Sequence, residues 1–106
     1  MIHIRLLRRE GLLMGVEAQG HAGWDKAGRD IVCAAVSVLL RSTARTLAQR
    51  YKEGLRFEAP KPGVLSLILE EENTEWTNGV WMVLDQGLRD LAKEFPKAIL
   101  IERQER

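Results

Sequence analysis

Cys33 is the only cysteine in the chain, and His21, one of two histidines, precedes it across a short glycine-containing segment. These are the residue types that a thiol nucleophile and its base require. Sulfur attacks as the thiolate, which is favoured by a neighbouring histidine or by the free N–H groups at a helix N-terminus. In the block Asp30-Ile31-Val32-Cys33-Ala34-Ala35-Val36-Ser37, Asp30 is a good N-cap, which predicts a helix starting there with Cys33 at its third position. The same N–H groups could then stabilise the oxyanion of an acyl-transfer step. His21 stands in Gly20-His21-Ala22 at the predicted end of a strand, and the segment Gly23-Trp24-Asp25-Lys26-Ala27-Gly28-Arg29 is long enough to fold back. Its glycines, Gly23 and Gly28, would let that segment move and let a substrate backbone approach closely.

Each of these residues also has a structural explanation. A lone cysteine among valines, alanines and leucines is what a small buried hydrophobe looks like. Asp30 is fully explained as a cap worth on the order of 1 kcal/mol. Ser37, one turn after Cys33, either hydrogen-bonds within a site or returns its hydroxyl to a backbone carbonyl. Trp24 is either a substrate-contacting aromatic or a lid over the core. Arg41, Arg45 and Lys52 recur at helical spacing, as a phosphate-binding stripe would, and equally as a solvated helix face does.

The elements that must position these groups are visible as changes of period. Ile2, Ile4 and Leu6, then Leu12, Met14, Val16 and Ala18, alternate about a turn at Arg9-Glu10-Gly11, which predicts a β-hairpin. His3 falls on the opposite side and is expected to be exposed. Val32, Val36, Leu39/Leu40, Thr43/Ala44, Leu47 and Tyr51 then follow a helical period from Asp30, with Gly54 as its stop. A second hairpin, Leu55–Ala59 and Val64–Leu69, turns through Pro60-Lys61-Pro62-Gly63. Trp76, Val80, Val83/Leu84, Gly87/Leu88, Leu91 and Phe95 trace a second helix, opened by Asn73-Thr74-Glu75 and closed by Pro96. Ala98 to Ile101 reads as a last strand, and residues 102–106 as a frayed polar tail. The expected fold is α+β: a five-stranded mixed sheet with two α-helices on one face, order β-β-α-β-β-α-β, in a single domain over 1–106. Its uncovered sheet face needs polar side chains or a partner.

Composition narrows the function classes. Sixteen Lys and Arg against fifteen Asp and Glu leave a net charge of +1, so the balance gives no support to binding along a nucleic-acid backbone. One cysteine excludes an internal disulfide and every Cys-x-x-Cys zinc pattern, so no metal is expected and a reducing compartment fits. With no run of about 18 apolar residues and no signal-peptide pattern after Met1, the expectation is a cytoplasmic protein without membrane contact.

Gly20-His21-Ala22 followed by the eight-residue block from Asp30 to Ser37 resembles the signature of the ribosomal-processing cysteine protease family, Prp. The hairpins, the second helix ending Leu91-Ala92-Lys93-Glu94-Phe95-Pro96 and the last strand are similar to that family's layout over nearly the whole chain. The resemblance implies that Cys33 is the nucleophile and His21 the general base, with Asp30 and Ser37 at motif positions of unassigned role. It implies removal of a short N-terminal extension from a large-subunit ribosomal protein precursor, cut after an aromatic residue, which an apolar pocket near Trp24 would suit. It further implies a homodimer, no cofactor, and a loop containing Gly20, Gly23, Trp24 and Gly28 that orders around the peptide. The rival expectation is a dimeric, non-catalytic ribosome-assembly or RNA-contacting factor that uses the face of Arg41, Arg45 and Lys52.

Overall fold

Ile2, Ile4 and Leu6 are buried while His3 and Arg5 are exposed, the two-residue period of a strand with one face on a core. They belong to β1 (Ile2–Arg9), which returns as β2 (Leu12–Gln19) in antiparallel register from Arg9↔Leu12 to His3↔Gln19. Glu10 and Gly11 close the hairpin with positive φ at both positions, 53° and 78°, the two-residue turn whose twist matches that of the strands. A register shift after Leu7 leaves Met14 without a partner, so the hairpin carries a bulge. The computed structural model describes residues 1–20, 26–61 and 63–106, with only the backbone of 26–30.

The remaining elements are α1 (Lys26–Ala48), β3 (Leu55–Glu58), β4 (Val64–Leu69), α2 (Glu75–Glu94) and β5 (Ile99–Glu105). The strands order as β3-β4-β2-β1-β5, antiparallel except where β5 runs parallel to β1. The order of elements and the mixed five-stranded sheet are therefore those that the residue pattern predicts. One apolar cluster joins Ile4, Val16 and Leu67 of the sheet to Val32, Val36, Leu40 and Leu47 of α1 and to Trp81, Leu84 and Leu88 of α2, which places both helices on one sheet face. The other face is largely polar: Arg5 pairs with Glu17 across β1 and β2 at 3.4 Å, and Arg56 with Glu70 at 3.2 Å.

Four details differ from the sequence reading. α1 begins at Lys26, so Asp30 is its fifth residue and not its cap, and Cys33 is its eighth residue and not its third. It ends at Ala48; Gly54, at φ 78°, instead leads into β3, where its carbonyl accepts from the Glu70 N–H at 2.7 Å. Residues 102–105 do not fray but continue β5, pairing Arg5↔Glu102 through Arg8↔Glu105, and the Arg106 N–H donates to the Arg8 carbonyl at 2.7 Å. The polar sequence there hid a strand whose ladder is made by main-chain groups alone. On α2 the buried positions are Thr77, Trp81, Leu84 and Leu88, while Val83 is 72% exposed.

Helix α2 starts where Asn73-Thr74-Glu75 predicts. Thr74 is the N-cap: its hydroxyl accepts from the Thr77 N–H at 3.2 Å, and its own N–H donates to the Thr77 hydroxyl at 2.7 Å. This reciprocal box satisfies donors that a helix start otherwise leaves free. Asn73 ties the start to β2 by donating to the Leu13 carbonyl at 3.3 Å. Within α2, Gly79 is exposed and has open space where a Cβ would stand. Gly79→Ala is therefore expected to stabilise the fold by about 0.5–1 kcal/mol, because alanine gives up less backbone entropy in a helix. A urea midpoint that fell in that variant would contradict this.

Ile31–Ala48 of α1 reaches a mean hydropathy of 1.5, long and apolar enough by length and composition to cross a membrane. The sequence reading counts no such run. In the fold, Val32, Val36, Leu40, Ala44 and Leu47 face the sheet and are buried there.

Candidate active site

Val32 and Val36 are buried at 0% and 3% exposure. Cys33 follows Val32 by about 100° around the helix, which turns it from the centre of the apolar stripe to its margin. It is half-buried, packed against the core and also lining a cavity of about 620 Å³. Ile2, Ala18, Val36, Val64 and Leu65 make the cavity's apolar walls. Ala59, Pro60, Lys61 and Gly63, from the connection between β3 and β4, close another side, and Gly20 contributes the end of β2.

Strand order explains how these distant segments meet. β4 lies beside β2 with Gln19 opposite Val64, so the end of β2 and the start of β4 share one edge of the site. Ile2 joins them because β1 begins where β2 ends. The walls contributed by Ala59, Pro60, Lys61 and Gly63 are the feature of the candidate site that sequence reasoning missed, since Pro60-Lys61-Pro62-Gly63 read only as a turn. The usable signal was the register of Val64–Leu69 against Leu12–Gln19, which alternation alone leaves open.

Among the predicted site residues, Cys33 and Gly20 are brought to the same cavity. Ser37, one turn along α1 from Cys33, is half-buried, and its carbonyl accepts from Arg41 Nε at 3.5 Å; the cavity walls do not include it. Gly28 and Asp30 lie in the backbone of α1 rather than in a substrate loop or at a cap. His21, Gly23 and Trp24 lie outside the described residues. Arg41, Arg45 and Lys52 are exposed, as a solvated face requires. Trp76 stacks under the Arg50 guanidinium, 4.1 Å from the ring centroid, with Tyr51 at 6.5 Å.

The position of Cys33 changes the chemical argument. The effect of the helix dipole is concentrated in the first turn, and by the eighth residue the backbone N–H groups belong to the helical ladder. The helix start therefore supplies Cys33 with neither a dipole nor free N–H donors for an oxyanion. What remains is a thiol at the wall of an apolar cavity that Gly20 also lines. Among the described residues, no group of three His, Cys, Asp or Glu side chains is placed to hold a metal ion.

A comparison with protein families matches residues 1–100 to the family described as cysteine protease Prp. A search of curated proteins gives no match. Among solved structures, the protein SMU.848 from Streptococcus mutans is 27% identical, with a TM-score of 0.84 over 100% of this chain and 96% of that one. The essential ribosomal processing protease Prp from S. aureus, in complex with a substrate peptide, is 19% identical, with a TM-score of 0.85 over 98% of this chain and 100% of that one. The same S. aureus protein with a covalently linked product peptide gives 20% identity and a TM-score of 0.83 over 98% and 100%. At these identities the S. aureus structures show a shared fold.

Proposed function

We propose, since this chain belongs to the cysteine protease Prp family, that it is a Cys–His endopeptidase that removes a short N-terminal extension from a large-subunit ribosomal protein during ribosome assembly. The observation that carries this reading is that the chain's only cysteine lines an apolar cavity of about 620 Å³, large enough for peptide side chains. In this reading His21 takes the proton from the Cys33 thiol, and the thiolate attacks the scissile carbonyl to form a tetrahedral intermediate. The imidazolium then protonates the leaving amine as the C–N bond breaks, which leaves a thioester on Cys33. Water, deprotonated by His21, attacks the thioester and releases the new carboxylate with the thiol restored. No step draws on a metal or an organic cofactor.

The protein is further proposed to act in the cytoplasm as a homodimer, as the motif resemblance implies. A peptide spanning the extension junction should be cut at one bond, as read by mass spectrometry, and a folded His21→Ala variant should cut it at least about 100-fold more slowly, the loss expected when a general base is removed. Cleavage by His21→Ala at the native rate would remove the Cys–His mechanism. Salt-dependent ribosomal RNA binding with no cleavage by the native protein would favour the RNA-contacting alternative instead.

A further inference from the structure

We infer that the outer side of the two-helix layer is the surface through which two copies of this chain pair, about a twofold axis that crosses the helices near Val38. This gives the homodimer reading a surface; it rests on that reading and not on the peptidase mechanism.

The two faces of the molecule are unlike. The open face of the sheet carries charged side chains, among them the pairs Arg5–Glu17 and Arg56–Glu70. The outer side of the helices is apolar. Ile31 and Val38 on α1, and Met82 and Val83 on α2, are each more than half exposed. Only 33% of the apolar stretch Ile31–Ala48 is buried within the chain. Between the helices runs an open groove of about 490 Å³, lined by Ala34, Ala35, Val38 and Leu91 with Asp90 and Glu94 beside them. A contiguous apolar surface of this kind marks a site of association. Two helices about 30 Å long and about 10 Å apart give a face of about 600 Å² in projection, comparable with the roughly 800 Å² that each partner commits to a standard interface.

The charges say that the partner is a second copy. α1 runs away from the end of the sheet where Cys33 and Ile2 line one cavity, and α2 returns to that end, stopping just before the Ala98 carbonyl that accepts from the Ile2 N–H. The helices are therefore antiparallel, and they are level with each other at Leu39 and Gly87, where a Cβ on the glycine would stand 3.0 Å from a Leu39 methyl. From that level Arg41 and Arg45 lie toward one end of the layer, and Asp90 and Glu94 toward the other. A twofold axis perpendicular to the helices near Val38 inverts the order. It brings Asp90 of the partner subunit level with Arg41, and Glu94 of the partner subunit level with Arg45, each to within about 1.5 Å along the helix axis. All four side chains are exposed, and among the described residues none is in an ion pair. The same patch thus complements itself, as a twofold contact requires, with Val38 meeting its own copy at the axis.

The test reads self-association by sedimentation velocity over a concentration series, with thermal melting as the check on folding. The native chain is expected to be a dimer. Val38→Glu sets two carboxylates against each other at the axis and is expected to weaken association at least about 100-fold. Arg45→Glu is expected to weaken it roughly 10-fold, because two exposed pairs become repulsions in each dimer. Arg45→Glu/Glu94→Arg is expected to recover most of that loss, since it restores the pair with its signs exchanged. Leu100→Glu, on the open face of the sheet, should leave the dimer unchanged. A native dimer that Val38→Glu leaves intact, or that Leu100→Glu splits as readily, would overturn the inference and keep the homodimer. A charge exchange that recovers nothing would overturn the inference too, and it decides the matter should Val38→Glu fail to fold. A native chain that stays monomeric throughout would overturn the homodimer reading and this surface with it, while peptide cleavage tests the protease reading separately.

Discussion

Cys33→Ala is expected to lower kcat/KM for peptide cleavage by on the order of 10⁴-fold or more, since in the proposed mechanism it deletes the attacking atom and leaves only binding. The same change should scarcely alter stability. Cys33 is half-buried at the margin of the apolar stripe, so losing its sulfur removes about as much buried surface as a methylene, near 0.8 kcal/mol. Alanine's better helix propensity in the body of α1 offsets part of that. Cleavage, covalent labelling by a peptide electrophile and the urea midpoint, measured together, separate the two explanations of this cysteine. A nucleophile gives no cleavage, no labelling and an unchanged midpoint. Persistent cleavage with a lowered midpoint would identify a core residue and end the protease reading.

Trp81→Ala is expected to have the largest effect on the fold, a loss of about 3–5 kcal/mol. Trp81 is 1% exposed and belongs to the apolar cluster that joins α2 to the sheet. Against a total stability of about 5–15 kcal/mol, such a loss leaves a domain of this size marginal. Urea unfolding followed by circular dichroism should show it, and a loss below about 1 kcal/mol would mean that the α2 layer repacks around the gap. Val83→Ala, on the exposed side of the same helix, should move the midpoint little.

The architecture was legible wherever side chains alternate or recur against a core. Ile2, Ile4 and Leu6 announce β1, and Val32, Val36, Leu40 and Leu47 announce the buried stripe of α1. The start of α1 was hidden because Lys26-Ala27-Gly28-Arg29 carries little apolar periodicity and a glycine, while Asp30 has the chemistry of a cap. The end of β5 was hidden because Glu102-Arg103-Gln104-Glu105 gives no side-chain sign of the main-chain pairing that holds it to β1. On α2, Val80 and Val83 drew the apolar stripe part of a turn away from Trp81, where packing places it.

The sequence points to Cys33, which the fold places at a cavity, and not to the walls around it. The single cysteine and the Gly-His-Ala motif are local facts of sequence. Neither Ala59 nor Lys61 declares that it lines a cavity with Cys33, because that arrangement depends on β4 taking its place beside β2. Periodicity fixes which face a residue takes on its own strand; it does not say which strand comes next.

The parallel alliance of β1 and β5 puts the first and last described residues near opposite ends of β1: Ile2 borders the cavity, whereas Arg106 is bonded beside Arg8 at the far end of the same strand. An affinity handle or fluorescent fusion attached after Arg106 would project away from the mouth of the pocket, while one attached before Met1 would emerge at its rim and compete with whatever polypeptide docks there.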